Sequence, residues 1–175
     1  MDTVVVRRGR RSDAVEFIEL VMALARFEKL APPTTAGKRR LIDDIFLRKR
    51  INLFVASRGK KLVGYALYFY SYSSFLARPT LYLEDLFVSE ESRREGTGMA
   101  LLKRCAREAR AKGCGRMEWA VLRWNGKAQR FYENLGAKRM EDWYLYRLDE
   151  QSLRALSATA TARARHRKAS VRPAL

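Results

Sequence analysis

A chain of 175 residues with 47% hydrophobic and 11% aromatic residues is long and apolar enough to fold as one globular domain, which excludes a disordered or disulfide-stapled peptide. Two cysteines, Cys105 and Cys114, and a single histidine, His166, exclude a disulfide framework and a metal-ligand cluster; no metal is expected and a reducing, cytoplasmic setting is the default. The net charge of +17 points to an anionic partner, nucleic acid or a polyphosphate ligand, without choosing between them.

In chain order, residues Met1 to Arg11 lack an apolar leader segment, and no window approaches the length of a membrane span, so a soluble, unprocessed protein is expected. Val4-Val5-Val6 reads as a short strand. Ser12 or Asp13 offers an N-cap, with Glu16 three residues after Asp13 as in a capping box, opening a helix whose apolar stripe is Val15, Ile18, Val21, Met22 and Ala25. That helix stops before Pro32-Pro33. Leu41, Ile42, Ile45 and Phe46 make a second, shorter stripe beside the solvated Lys38-Arg39-Arg40.

From Ile51 the period changes. Ile51 to Ala56 and Leu62 to Tyr70, joined around Ser57-Arg58-Gly59-Lys60, read as an antiparallel hairpin. Ser71 to Arg78 reads as a loop. Leu81 to Val88 is too continuously apolar for a strand with one face in water. Within it stand two adjacent carboxylates, Glu84 and Asp85. Strand neighbours point to opposite faces, so both cannot be core, and at least one should face a wet cleft or a basic partner. An ion pair and a ligand role are both open at this point.

Glu95-Gly96-Thr97-Gly98 then forms a turn between that strand and a helix beginning at Met99. A glycine-rich turn at a helix N-terminus collects unpaired N–H groups and the positive end of the dipole, a cradle for phosphate. Arg93 and Arg94, just before the turn, could reach phosphate oxygens. The same spacing also serves as a plain helix entry. Leu102, Cys105, Ala106 and Ala109 line the inner side of this helix, with Lys103, Arg104, Arg107 and Arg110 outside. Arg116 to Leu122 reads as a strand parallel to 81–88. Asn125 caps a further helix with the stripe Ala128, Phe131, Tyr132 and Leu135, closed by Gly136. A last strand is expected over Trp143 to Leu148. From Ser157 the chain is a basic tail with no acidic residue, expected to be disordered. The order β-α-α-β-β-β-α-β-α-β describes an α/β domain built on a mixed sheet.

Arg93-Arg94-Glu95-Gly96-Thr97-Gly98 resembles the phosphate loop of the GCN5-related N-acetyltransferase (GNAT) superfamily, and Trp124-Asn125 with Phe131-Tyr132-Glu133-Asn134-Leu135-Gly136-Ala137 resembles its closing motif. Ala25-Arg26-Phe27-Glu28-Lys29-Leu30, Gly64 to Tyr70 and Leu81-Tyr82-Leu83-Glu84-Asp85 look like the diamine (spermidine/spermine) N-acetyltransferase branch. The resemblance covers about residues 4 to 150. It implies a single GNAT domain over 1–152, with a mixed central sheet flanked by helices, followed by the tail 153–175.

The resemblance implies acetyl-coenzyme A as donor, its pantetheine arm along the backbone of Leu86, Phe87 and Val88 and its pyrophosphate on Arg93, Arg94, Glu95, Gly96, Thr97, Gly98 and Met99. Asn125 would touch the pantetheine or nucleotide end, or serve only as a helix cap. Tyr132 would be the general acid that protonates the departing thiolate, although its place on an apolar stripe also suits a core residue. Glu84 would take a proton from the cationic amine through water, with Phe27, Glu28, Glu84 and Asp85 contacting the acceptor and Glu118 adding to an acidic pocket. The acceptor would be a diamine, a polyamine or a thialysine-like amino acid. A protein amine or an antibiotic amine is the alternative, and nucleic-acid binding by a non-catalytic relative, through the tail, a third. The family also implies a homodimer. Two departures stand out: Arg94 where many members have Gly, and Glu95, which brings a negative charge to the loop.

Overall fold

The computed structural model describes residues 3–158, which fall into two compact units divided after Leu122. In the first, five strands, β1 (Val4–Arg8), β2 (Asn52–Arg58), β3 (Lys61–Ser73), β4 (Arg78–Val88) and β5 (Arg116–Glu118), form one sheet in the order β1-β2-β3-β4-β5. The first four pair antiparallel. β5 runs parallel to β4 after a crossover through α3 (Thr97–Ala111), as the chain order implied. β3 and β4 reach further than expected, taking in half of the segment read as a loop, while β5 is only three residues long.

Period-two alternation splits the sheet's side chains between two cores. Leu53, Val55, Tyr65, Leu67 and Phe87 meet Phe17 and Leu20 of α1 (Ala14–Glu28) and Ile45 of α2 (Thr35–Phe46). On the other side α3 packs over β2, β3 and β4, burying Leu101, Leu102 and Cys105 with Phe54 and Tyr68, whose rings stack at 5.0 Å.

The buried face of α1 is Phe17 and Leu20, whereas Val15, placed on the inner stripe from sequence, is 74% exposed. Ile18 and Val21 of that stripe do pack against the core, and Val15 alone of it is exposed, while Phe17, off the stripe, meets Tyr65 edge-on. Nor do Asp13 and Glu16 form the expected capping box. Asp13 accepts two bonds from Arg7, at 2.6 and 2.8 Å, and one from Arg10 N; Glu16 accepts from Leu62 N at 2.7 Å, tying α1 to β3. The Arg7 guanidinium holds the Asp13 carboxyl below its ordinary range.

α3 buries a carboxylate among its apolar residues. Glu108, 5% exposed, accepts from Arg8 of β1 at 2.6 Å, from Arg104 at 3.2 Å and from the Tyr70 hydroxyl at 3.3 Å. Arg104, read as an outer residue, lies with its guanidinium 4.2 Å from the Phe54 ring centroid, and Ala106, read as inner, is exposed.

β3 and β4 approach closely at Gly64, where a Cβ would stand 2.7 Å from the Phe87 carbonyl oxygen and 3.3 Å from Leu101. Gly64→Ala should therefore cost about 1–3 kcal/mol by overpacking between two backbones, read as a lower midpoint in urea unfolding.

In the second unit, α4 (Gly126–Glu133) is capped by Asn125, whose Oδ1 accepts from Ala128 N at 3.2 Å, and Gly136 has the left-handed φ of 84° expected after a helix end. The expected strand Trp143 to Leu148 does not form: residues 137–149 carry no helix or strand. Its β-branched and aromatic content was a sign of strand propensity, but a strand also needs a neighbour to take its backbone hydrogen bonds, and no described strand pairs with it. Residues 150–158 are helical, started by Asp149, which accepts from Ser152 N at 2.8 Å, so the boundary expected at 152–153 falls inside a helix. The basic tail from 159 onward lies outside the described residues.

Candidate active site

β4 is fully paired with β3 along one edge, but β5 covers its other edge only at Thr80, Leu81 and Tyr82. From Leu83 to Val88 that edge has no strand partner among the described residues. Unpaired N–H and C=O groups on an extended edge can receive another extended chain. Phe87 does not offer its carbonyl there, since that oxygen faces Gly64 of β3. In an antiparallel pair the backbone groups alternate between the two edges, so Leu86 and Val88 face outward and Phe87 does not. Val88 O already accepts from Arg93 Nε at 3.1 Å.

The loop beyond β4 ends at Gly96, whose φ of 80° is left-handed, a conformation that glycine adopts without a Cβ penalty. Gly96 O starts α3 by accepting from Ala100 N at 2.9 Å, which leaves the N–H groups of Thr97, Gly98 and Met99 without helical partners. Those donors and the dipole end of a 15-residue helix suit a pyrophosphate. Arg94 has φ 65°, also left-handed, which explains in backbone terms why glycine is favoured at that position. The Glu95 charge is paired with Arg58 of β2. Arg93 does not extend toward a phosphate: its guanidinium is folded over the rings of Phe27, 4.9 Å from the centroid, and Phe87, at 5.7 Å.

A second cluster lies upstream on β4. Leu67 pairs with Asp85 and Tyr68 with Leu83, so Glu84 is the extra residue of a bulge. Strict alternation would send Glu84 and Asp85 to opposite faces; the bulge breaks it, and the two carboxylates act on one another. Glu84 is exposed and Asp85 half-buried. Asp85 accepts from the Tyr65 hydroxyl at 3.1 Å. Burial, chiefly, pushes the Asp85 carboxyl up to about 6; the Tyr65 bond opposes this, and Glu84 and Glu28 add to it. Glu28, the last residue of α1, is also raised, by burial. α1 ends there because Lys29 turns left-handed, φ 57°.

None of Glu28, Glu84 and Asp85 forms a salt bridge with a described residue. The ion-pair reading of Glu84 and Asp85 is thus not realised, although the chain carries 36 Lys and Arg. Glu118 is different: it pairs with Arg116 at 2.9 Å. In the second unit, Tyr132 sits on α4 with its ring 5.1 Å from that of Phe131, and the Asn125 side chain serves as a helix cap. Tyr65, read from sequence only as a strand aromatic, pairs with Phe87 in the register and reaches Asp85 through its hydroxyl, a contact with no local sequence signal.

Residues 18–137 match the acetyltransferase (GNAT) family profile. The chain belongs to that family and is an N-acetyltransferase. Among its relatives, the thialysine N-epsilon-acetyltransferase of Bos taurus is 31% identical over 169 residues, 90% of this chain and 99% of the bovine protein. The enzyme of the same name from Mus musculus is 34% identical over 164 residues, 87% and 96% of the two chains. Among solved structures, an integron cassette protein from the V. cholerae mobile metagenome superposes with a TM-score of 0.74 at 23% identity, covering 88% of this chain and 97% of its own, a likeness of fold.

Proposed function

We propose that this protein transfers the acetyl group of acetyl-coenzyme A to a primary amine of a small cationic acceptor, a diamine, a polyamine or a thialysine-like amino acid. The observation that carries the acceptor class is the group Glu28, Glu84 and Asp85, unneutralised by any described cation in a protein of net charge +17. Long-range repulsion of a polycation must be offset by a local acidic site, and an unpaired carboxylate such as Asp85, with Glu84 and Glu28 beside it, is stabilised by a cation. Relatives named for thialysine, for L-ornithine (NATA1 of Arabidopsis thaliana, 43% identical over 54% of this chain) and for spermidine/spermine (a human acetyltransferase-like protein, 29% identical) agree with small amines bearing more than one cationic centre.

Acetyl-coenzyme A supplies an activated thioester. The outward backbone groups of Leu86 and Val88 hold its extended arm, and the N–H groups from Arg94 to Met99 its pyrophosphate, with Arg93 supporting the loop from beneath instead of reaching the phosphate. Asn125 shapes α4 as its cap. An amine attacks only when neutral, so Glu84, exposed on its bulge, receives the ammonium proton through water, while Phe27, Glu28 and Asp85 contact the remainder of the acceptor. Tyr132 is the general acid for the departing thiolate, a role supported by the motif around it. The protein acts in the cytoplasm. It pairs as a homodimer, which gives a reason for the exposed Trp143, Tyr144, Leu145 and Tyr146 of the second unit; sedimentation velocity giving a monomer at micromolar concentration would discard the dimer.

Incubation with acetyl-coenzyme A and a panel of diamines, polyamines, ornithine and thialysine, following thiol release, tests the activity. Absence of turnover on every amine, with coenzyme A binding intact, sinks the acceptor class. Glu84→Gln should raise KM for dicationic amines about tenfold, the effect of losing one nearby charge, and leave KM for acetyl-coenzyme A nearly unchanged. Equal effects on both would remove Glu84 from the acceptor site.

A further inference from the structure

Tyr65 is fully buried, its ring edge-on to Phe17 at 5.1 Å and tilted against Phe87 at 6.2 Å. Packing on both sides leaves the phenol no freedom to swing, and a phenylalanine would fill the same apolar space. The hydroxyl is therefore there for what it touches. It donates to Asp85 Oδ2 at 3.1 Å, a carboxylate with no described basic partner.

We infer that Tyr65 is a positioning residue of the acceptor subsite: its hydroxyl fixes Asp85 as the inner anion of the Glu28, Glu84 and Asp85 group, the one that meets the second cationic centre of a diamine. The inference rests on the acetyl-transfer reading above and adds a specificity determinant to it. Glu84 is exposed and Asp85 half-buried, so the pocket is graded from wet to dry. An amine with a single cationic centre, held near Glu84 for transfer, leaves Asp85 unmatched; a diamine satisfies both. A carboxylate left buried without a cation is the penalty that separates the two substrates.

The groups facing Asp85 are Tyr65 from β3, Glu84 on its own strand and Glu28 from α1, two anions and one donor. Burial and the two anions raise its carboxyl, the Tyr65 bond lowers it, and the result is about 6. Below that pH the inner anion is lost and diamine binding weakens. Removing the hydroxyl removes a bond that favours the charged form, so in Tyr65→Phe the carboxyl titrates at higher pH.

The test is a ¹³C NMR titration of the Asp85 carboxyl carbon in the full chain with coenzyme A bound, with and without 1,3-diaminopropane, for the parent and Tyr65→Phe. Kinetics with the same diamine and with propylamine run in parallel. The expected results are an upward shift of the titration by about one pH unit in the variant, a matching shift of the acid limb of kcat/KM for the diamine carried by KM more than kcat, and little change for propylamine. In the parent, the diamine should perturb the Asp85 resonance. An unmoved titration, a resonance blind to the diamine, or equal effects on diamine and monoamine each overturns the inference. A protein whose Asp85 responds to the diamine but which acetylates no amine defeats the activity reading and leaves the subsite standing. Should Tyr65→Phe not fold, Asp85→Asn decides: diamine binding should weaken about tenfold and lose its dependence on pH near 6, and unchanged binding overturns the inference.

Discussion

Tyr132→Phe should lower kcat by about a hundredfold, the lower end of what a positioned general acid contributes, with coenzyme A affinity nearly unchanged. The substitution deletes one oxygen and keeps the ring that lies 5.1 Å from Phe131 on α4, so the helix and its cap at Asn125 are preserved. In the proposed role the phenolic proton is needed only as the carbon–sulfur bond breaks, so the loss falls on kcat and kcat/KM together and spares ground-state binding. Steady-state kinetics at saturating acetyl-coenzyme A, combined with calorimetric titration of coenzyme A, separates these quantities. A kcat equal to the parent's would return Tyr132 to the status of a packing residue.

The second large effect concerns stability. Glu108→Ala should destabilise the fold by about 2–3 kcal/mol, somewhat below the cost of breaking a fully buried ion pair because Arg8 reaches solvent. With about 2–4 °C per kcal/mol for a chain of this size, the melting temperature should fall by about 5–10 °C. Glu108 is 5% exposed and is the acceptor shared by Arg8, Arg104 and the Tyr70 hydroxyl, so its removal strips three donors at once across β1, β3 and α3. Burial alone would raise its carboxyl; Arg8 and Arg104 outweigh burial and hold it below the ordinary range. A carboxyl lowered in the folded state stabilises above the unfolded value, about 4.3, and that contribution is lost as pH falls through the lower folded value. The difference in melting temperature between parent and variant should therefore shrink on acidification below about pH 4. A difference independent of pH would mean that packing, and not the ion network, carries the effect. Glu108→Leu should recover part of the loss, since Arg8 is 56% exposed on its side chain and can turn to water.

The site combines one loop that holds its own charges in balance with one pocket that does not. Glu95 is answered by Arg58, and Arg93 by the Val88 carbonyl and two aromatic rings. The carboxylates of Glu28, Glu84 and Asp85 have no such answer among the described residues. Three carboxylates without a described cation beside a loop of free backbone donors are the arrangement on which the proposed cationic acceptor and anionic donor rest.

How much of this was legible from sequence varies with the physics involved. Local patterns carried the glycine turn, the caps at Asn125 and Gly136, the mixed sheet and the family, because backbone conformation and periodicity are properties of a few neighbouring residues. Phase within an element was harder: of the expected stripe on α1 Ile18 and Val21 pack inward, but Val15 is exposed and Phe17, off the stripe, is fully buried against Tyr65. Glu108 could not be recognised as buried, since its partners lie as far away in the chain as Arg8. Trp143 to Leu148 has strand propensity without a strand partner among the described residues. At the site the bulge mattered most. Period-two reasoning separates Glu84 from Asp85; the extra residue opposite Leu67 and Tyr68 brings their charges to bear on one another, and the Tyr65 hydroxyl meets Asp85 across a strand pair. The sequence by itself determined that a glycine turn, Gly96-Thr97-Gly98, opens a helix after a strand bearing two carboxylates. Only the tertiary structure decided which charges are already spoken for, because pairing depends on distances between strands that no local pattern records.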